Sequence, residues 1–477
     1  MTTALVIGSG PNGLAAAIAL LQGGVDVGVR EAADDVGGGL RSAELTLPGF
    51  VHDVCATAVP LALGSPFFRT LDLAVEWAQP DAPAAHPLDD GTAVMLERSL
   101  DGTAGGLGGD GAAYRRLVEP LVEAWGELAP AVLGRLPPPT RLMARVLSAA
   151  GARQLARATR TALGDARSVA ESLFETERAR AWFAGHCAHG MLPLERRPSA
   201  GFGVALTVLG HAVGWPFVRG GSLRLAETLA ARVRELGGTI VTRSAVDELP
   251  AEGLVLADVV PRELVRIARG RLPERFERRL RSYRHGPGAF KVDWALDGAI
   301  PWRAEECRRA GTVHLGGTLE EIAHSEWGAW SGRIVERPFV LLTQQTVFDS
   351  TRAPEGKHTA WAYCHVPNGS EVDMTERIEA QVERFAPGFR ELVLARSSFG
   401  PAELEARNRN LVGGDLNAGA MDLGQLFARP ALRRVPWRTA LPDVYLCSAS
   451  TPPGGGVHGM CGYWAARAAL AAADSRS

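Results

Sequence analysis

Residues Thr3–Ala32 read TALVIGSGPNGLAAAIALLQGGVDVGVREA, and this stretch decides the fold. Ala4–Ile7 form a continuous apolar run, the pattern of a parallel strand buried on both faces. Gly8, Gly10 and Gly13 follow in G-x-G-x-x-G spacing, with Pro11 and Asn12 between the second and third. Leu14 to Leu21 predict a helix that Gly23 and Gly24 stop. Val25, Val27 and Val29 then alternate as a second strand, and Glu31 stands at its end. In such a unit Gly8 makes the tight turn, Gly10 lets the backbone approach a pyrophosphate, and Gly13 lets helix pack closely on strand. The helix N-terminus offers free N–H groups and a positive dipole end to that pyrophosphate. Glu31 is spaced to accept hydrogen bonds from a ribose 2′-OH, and an acid there argues against a 2′-phosphate. The unit predicts a Rossmann-like dinucleotide site.

Two further glycine clusters extend it. Asp34–Ser42, DDVGGGLRS, follows the acid directly and places Gly38, Gly39 and Arg41 where a longer dinucleotide such as FAD would run. Arg41 is positioned to neutralise phosphate charge or to face the flavin. Far along the chain, Val444–Ser448 predict a strand, TPPGGGVHG a loop, and MCGYWAARAALAAA a helix. Strand, glycine turn and helix therefore occur a second time.

The chain resembles the flavoproteins related to bacterial phytoene desaturase, within the flavin-containing amine oxidase superfamily. VIGSGPNGLAAAIAL, REAADDVGGGLRSAEL, GWPFVRGGSLRLAETLAARVRELGG and VYLCSASTPPGGGVHGMCGYWAARAAL carry the resemblance from one end of the chain to the other. It implies an α/β fold: a discontinuous Rossmann-like FAD-binding domain from residues 1–75, 218–285 and 435–477. An α+β substrate domain with a helical cap would take 76–217 and 286–434. It implies adenine contacts near Val246, at the end of the strand TIVTRSAVDEL. It also implies that Gly455, Gly456 and Val457 lie along the ribityl and flavin, with the helix start near Met460 facing the flavin N1/O2 edge. The family's usual β-hairpin is trimmed here, since only DELPAEG separates that strand from LVLADVV.

The implied activity is hydride transfer from a substrate carbon to flavin N5, as in a dehydrogenase or desaturase. No second complete dinucleotide fingerprint is present, so electrons would leave to oxygen, a quinone or another diffusible acceptor. Amine oxidases of the superfamily use a lysine near N5, and Lys291, on the predicted strand GAFKVDWAL, stands where it would serve that rival reading. A non-redox isomerase using bound FAD and a binding protein with a vestigial flavin site are further alternatives. His458, inside the second glycine loop, is read either as a base or as a ligand of phosphate or backbone. WAYCHVP places Tyr363 and His365 as pocket candidates. His186, His189, His211 and Trp215 flank the return into the FAD-binding segments and read as core or pocket-lining residues. No third ligand at metal spacing accompanies the histidine pair, so no metal is expected.

Composition narrows the rest. The chain has 477 residues, which at roughly 150 residues per domain implies two or three domains. A formal net charge of -2 gives no case for nucleic acid. Lys291 and Lys357 are the only lysines, a bias we read as coding rather than function. Six scattered cysteines without a CxxC pair fit a reducing, cytoplasmic setting and structural packing. Neither a signal peptide nor an apolar run of about 18 residues is visible. Helical patterning over 111–190, broken by Pro137, Pro138 and Pro139, suits a cap that buries an apolar, lipid-like or small-molecule substrate or makes peripheral membrane contact. A solvated helical face is the plainer reading. Asp110 is expected to cap the helix starting at Gly111. Glu76 to Leu96 read as strand, proline-rich loop, strand; RPFVLLTQQTVFD and HTAWAYCHVPNG read as strands, and MTERIEAQVERFAPGF as a helix.

Overall fold

The computed structural model describes residues 3–134, 143–144, 146–148 and 151–475. The three prolines read as helix breakers lie outside them.

Five parallel strands form one sheet, in the order Val444–Leu446, Leu254–Ala257, Thr3–Ile7, Asp26–Arg30 and Thr239–Val241. The two-residue period sorts their side chains. Val6, Val29 and Leu256 meet the helices Pro11–Gln22, Leu223–Glu235 and Met460–Asp474 on one face. Ile7, Val255, Ala257 and Leu446 meet the helix Pro261–Ala268 on the other. This double covering explains why Ala4–Ile7 and Leu254–Ala257 read as unbroken apolar runs, whereas Asp26–Arg30, nearer the edge, alternates.

The helices Pro11–Gln22 and Met460–Asp474 pack very closely. A Cβ added at Gly462 would lie 1.8 Å from the carbonyl oxygen of Asn12, so only glycine permits this crossing. The strands of the sheet come from residues 3–30, 239–257 and 444–446, and the contact at Gly462 fixes the two most distant parts against each other.

A second sheet has seven strands, in the order Val393–Phe399, Gly288–Leu296, His358–Val366, Val340–Thr343, Ala310–Leu315, Ala82–Pro87 and Ala93–Leu96. All neighbours are antiparallel except Ala310–Leu315 with Ala82–Pro87. One of its faces is covered by helices that include Gly111–Glu123, Glu177–Ala188 and Ser199–Ala212, around Tyr114, Trp182 and Phe339.

Several expectations are corrected. The stretch read as a proline-rich loop contains the strand Ala82–Pro87. Pro83 is tolerated because pairing with the neighbour Ala93–Leu96 begins only at Ala84, so no ladder N–H is demanded of it there. The strand expected over 239–249 ends at Val241, where the chain turns to let Arg243 and Ser244 donate to the Ala33 and Glu31 carbonyls at 2.9 and 2.8 Å. RPFVLLTQQTVFD contributes only Val340–Thr343 as strand before a short helical turn. Asp110 does not cap the helix Gly111–Glu123. Its carboxylate accepts instead from the backbone N–H groups of Glu175 (2.7 Å) and Thr176 (3.0 Å), tying two helical segments together.

Buried ions tie together the segments around residues 53, 218 and 349–352. The Arg352 guanidinium, fully buried, contacts Asp349 at 2.9 Å and Asp53 at 3.1 Å and donates to the Val218 carbonyl at 3.1 Å. Asp53 also accepts from Ser42, Thr57 and the Ser222 N–H. Among the described residues, no helix is long and apolar enough to cross a membrane.

Candidate functional site

A cavity of about 720 Å³ opens between the two sheets, within the usual range for small-molecule sites. At one end lie Gly8, Gly10, Pro11 and Asn12 of the first glycine turn, Glu31, and Gly38, Gly39 and Arg41 of the second. Gly8 has φ +94°, a conformation open to glycine, and its N–H donates to the Arg30 carbonyl at 2.8 Å. A Cβ at Gly13 would sit 2.1 Å from the Gly8 carbonyl oxygen, so this glycine is what lets the helix start directly behind the turn. The helix begins at Pro11 with Gly10 as its cap, three residues earlier than its apolar pattern suggests.

Glu31 braces this end. One carboxylate oxygen accepts from the Ser9 N–H (2.8 Å) and hydroxyl (2.7 Å), and the other from the Ala33 N–H (2.9 Å). Oε2 is thereby doubly engaged, and Oε1 keeps a further lone pair for a ribose. Arg41 is held by the carbonyls of Gly38 (3.0 Å) and Arg407 (2.6 Å). Val246 is buried and lines the cavity, although it lies past the end of its strand.

The third turn enters the same cavity through Gly456 and Val457. Gly455 faces Asn417 rather than the cavity, since a Cβ there would be 3.0 Å from Asn417 Oδ1. Met460 packs in the core beneath the helices, and its N–H donates to His458 Nδ1 at 3.0 Å. His458 is buried outside the cavity wall, and its carbonyl accepts from the Ser65 hydroxyl at 2.6 Å. Burial pushes its imidazole down to about 4. Of its two sequence readings, the bond to backbone is the one visible in the geometry.

At the other end the wall is apolar and aromatic. Trp361 and Tyr363 stack with ring centroids 5.4 Å apart, and His189, Leu206 and Trp215 lie beside them. Burial pushes the Tyr363 phenol well above its ordinary range. His365 shares that strand face but sits behind Tyr363, with Nδ1 2.8 Å from the buried Glu326 carboxylate. Lys291 is also behind the wall. Its ammonium donates to Asp293 at 2.6 Å and lies 5.0 Å from the Trp361 ring centroid. Cys55 lines the cavity, whereas the other five cysteines are buried.

Asp258 is a site residue that the sequence reading passed over. It ends the strand Leu254–Ala257, and its Oδ2 accepts from the Gly13 N–H at 2.9 Å. A Cβ at Gly10 would meet that oxygen at 2.7 Å. Burial, reinforced by the Glu31 charge, raises this carboxyl to about 7. The signal was its place at the end of an apolar strand facing a glycine turn, in a run read as strand through to Val260. The segment Arg407–Leu411 also lines the cavity, and its sequence, RNRNL, carries no periodicity that could have pointed to it. Charged side chains cluster at the glycine-turn end, where Arg30, Arg41, Arg266, Arg407 and Arg409 outnumber Glu31, Asp258 and Glu263.

Comparison with known proteins agrees with this geometry. Residues 6–72 match the family described as NAD(P)-binding Rossmann-like domain. Across 96% of the chain and 91% of the relative, it is 26% identical to pyridine nucleotide-disulfide oxidoreductase domain-containing protein 2 of Mus musculus. Among solved structures, an oxidoreductase from Methanosarcina mazei superposes with TM-score 0.63 at 15% identity, covering 98% of this chain and all of that one. Putrescine oxidase bound to putrescine gives 0.62 at 17%, and cyclohexylamine oxidase from Brevibacterium oxydans gives 0.58 at 14%; each match covers all of this chain and 99% of the other. The chain has the fold of these oxidoreductases. The α/β class read from its glycine motifs stands on the same matches.

The residues fit a dinucleotide. Three glycine turns from separate parts of the chain converge, and side chains at Gly10 or Gly38 would close the cradle between them: a Cβ at Gly38 would lie 3.2 Å from the Gly10 Cα.

Proposed function

We propose that the chain is an FAD-dependent oxidoreductase, a dehydrogenase or desaturase related to phytoene desaturase, acting on a largely apolar or small-metabolite substrate. One observation carries the reading: both glycine-turn units open on a single cavity whose remaining wall is aromatic and apolar. In this reading residues 1–75, 218–285 and 435–477 form the FAD-binding domain, and 76–217 and 286–434 the substrate domain. Gly10, Gly38 and Gly39 give close backbone approach to the pyrophosphate, Arg41 offsets its charge, and Glu31 accepts from ribose. Val246 borders the adenine, and Gly456 and Val457 border the ribityl and flavin. FAD, when bound, supplies a two-electron acceptor at N5. The chain's own residues do the rest. Trp361, Tyr363 and Trp215 exclude water and orient an apolar substrate, and electrons leave to oxygen or a quinone.

The fold neighbours putrescine oxidase and cyclohexylamine oxidase support a second reading, amine oxidation. In that reading Lys291 would have to act from behind Trp361 while paired to Asp293. Peroxide released on amine addition, and lost in Lys291→Met, would favour it. The main reading is tested by the absorption spectrum of the purified protein and by anaerobic bleaching across a panel of metabolites. A protein that stays colourless with added FAD ends the proposal.

A further inference from the structure

His189 follows the helix Glu177–Ala188 and reaches the cavity beside Trp215 and Tyr363. Its Nε2 lies 2.9 Å from Nε2 of His314, on the strand Ala310–Leu315. His314 is fully buried, and Gly185 makes room for it, because a Cβ there would lie 3.0 Å from His314 Nδ1. The same ring meets His186 edge-on at a centroid distance of 4.9 Å.

Two nitrogens in contact share one proton, and the surroundings decide whose it is. Among the described residues, His314 Nδ1 has no hydrogen-bond partner. A proton there would be a buried donor without an acceptor, which costs more than a bare lone pair. The His314 proton therefore belongs on Nε2, donated to His189. Both rings are neutral: burial, with repulsion from neighbouring imidazoles, holds His314 well below its ordinary range and His189 at about 3. A neutral His189 that accepts at Nε2 must carry its own proton on Nδ1, the edge left for the cavity.

We propose that His189 is the specificity-determining residue of the cavity, presenting Nδ1–H as a donor to a carbonyl or hydroxyl oxygen on an otherwise apolar substrate. His314 is the positioning residue that fixes this tautomer. The proposal rests on reading the aromatic end as the substrate site and adds the class of substrate it selects. A neutral imidazole donor polarises such an oxygen without placing a cation in an apolar wall.

Two measurements test it on the full chain as purified. Histidine-selective ¹⁵N spectra at pH 7, assigned with His189→Gln, should show Nδ1–H for His189 and Nε2–H for His314; Nε2–H on His189 overturns the proposal. Acetophenone should bind about tenfold more tightly than ethylbenzene, and His189→Phe should erase that preference while leaving ethylbenzene binding intact. A preference of the same size in wild type and variant also overturns it. Neither readout depends on flavin, so a colourless protein would sink the oxidoreductase reading without touching the tautomer result.

Discussion

Asp258→Asn should change how stability depends on pH. The Asp258 carboxyl is held at about 7 in the folded chain, against 3.8 for the free group. Between those values the folded state binds the extra proton, so stability falls as pH rises through this window and levels off above pH 7. Taking one pH unit as about 1.4 kcal/mol, ionisation of Asp258 in the unfolded chain costs the wild type about 1.7 kcal/mol at pH 5 and about 4 kcal/mol at pH 8. Asparagine keeps an acceptor for the Gly13 N–H and does not titrate. The variant should therefore gain about 2.5 kcal/mol on the wild type between pH 5 and pH 8, a large fraction of a typical folding free energy. Urea unfolding of both proteins at each pH reads this directly, and subtraction removes every titration they share. If the gap between them moves by less than about 0.5 kcal/mol, Asp258 ionises normally beneath the glycine turn and the account of that end of the cavity fails. On the proposed function, FAD affinity should also weaken above pH 7 in wild type and stay flat in the variant, since an ionised Asp258 would face the pyrophosphate.

Gly13→Ala places a methyl 2.1 Å from the Gly8 carbonyl oxygen, and Gly462→Ala places one 1.8 Å from that of Asn12. Each contact is with backbone, so both variants should unfold at lower temperature and, on the proposed function, lose flavin absorbance on purification. Retention of both properties would show that the helices can part. Arg352→Met leaves Asp53 and Asp349 without their shared cation and should destabilise by about 3–5 kcal/mol in urea titration. Lys291→Met strands Asp293, whose carboxyl burial already raises to about 6. A sharp stability loss that Asp293→Asn relieves would mark the lysine as structural. His52, His86, His186 and His458 are pushed by burial to about 3–4, below the 6.5 of the free group. The unfolded chain then takes up protons first, so stability should fall as pH drops below about 6.5, and replacing His86 with Gln should flatten that slope.

The parts of the fold legible in the sequence are those where one local rule suffices. The first turn, the strand Gly288–Leu296 and the helix at Met460 follow from glycine spacing or an apolar run. Ala310–Leu315 and Val393–Phe399 escape that reading. The first opens on the small residues Ala310, Gly311 and Thr312 and owes its strand character to pairing on both sides, and the second is an edge strand with a polar face. The site divides the same way. Glycines announce themselves by spacing, whereas Asp258, Cys55 and Arg407 join the cavity only through tertiary placement. His458 shows the converse: its position in the loop was readable, but not that its ring turns inward to hold the Met460 N–H.

The backbone contact between Asn12 and Gly462 also has a history during synthesis. The strand Thr3–Ile7 emerges roughly 400 residues before its sheet is completed by Val444–Leu446. At ~5–20 residues per second the ribosome needs roughly 20–80 s to cover that distance. Throughout that interval the flank of Pro11–Gln22 that meets Met460–Asp474 lacks its eventual cover.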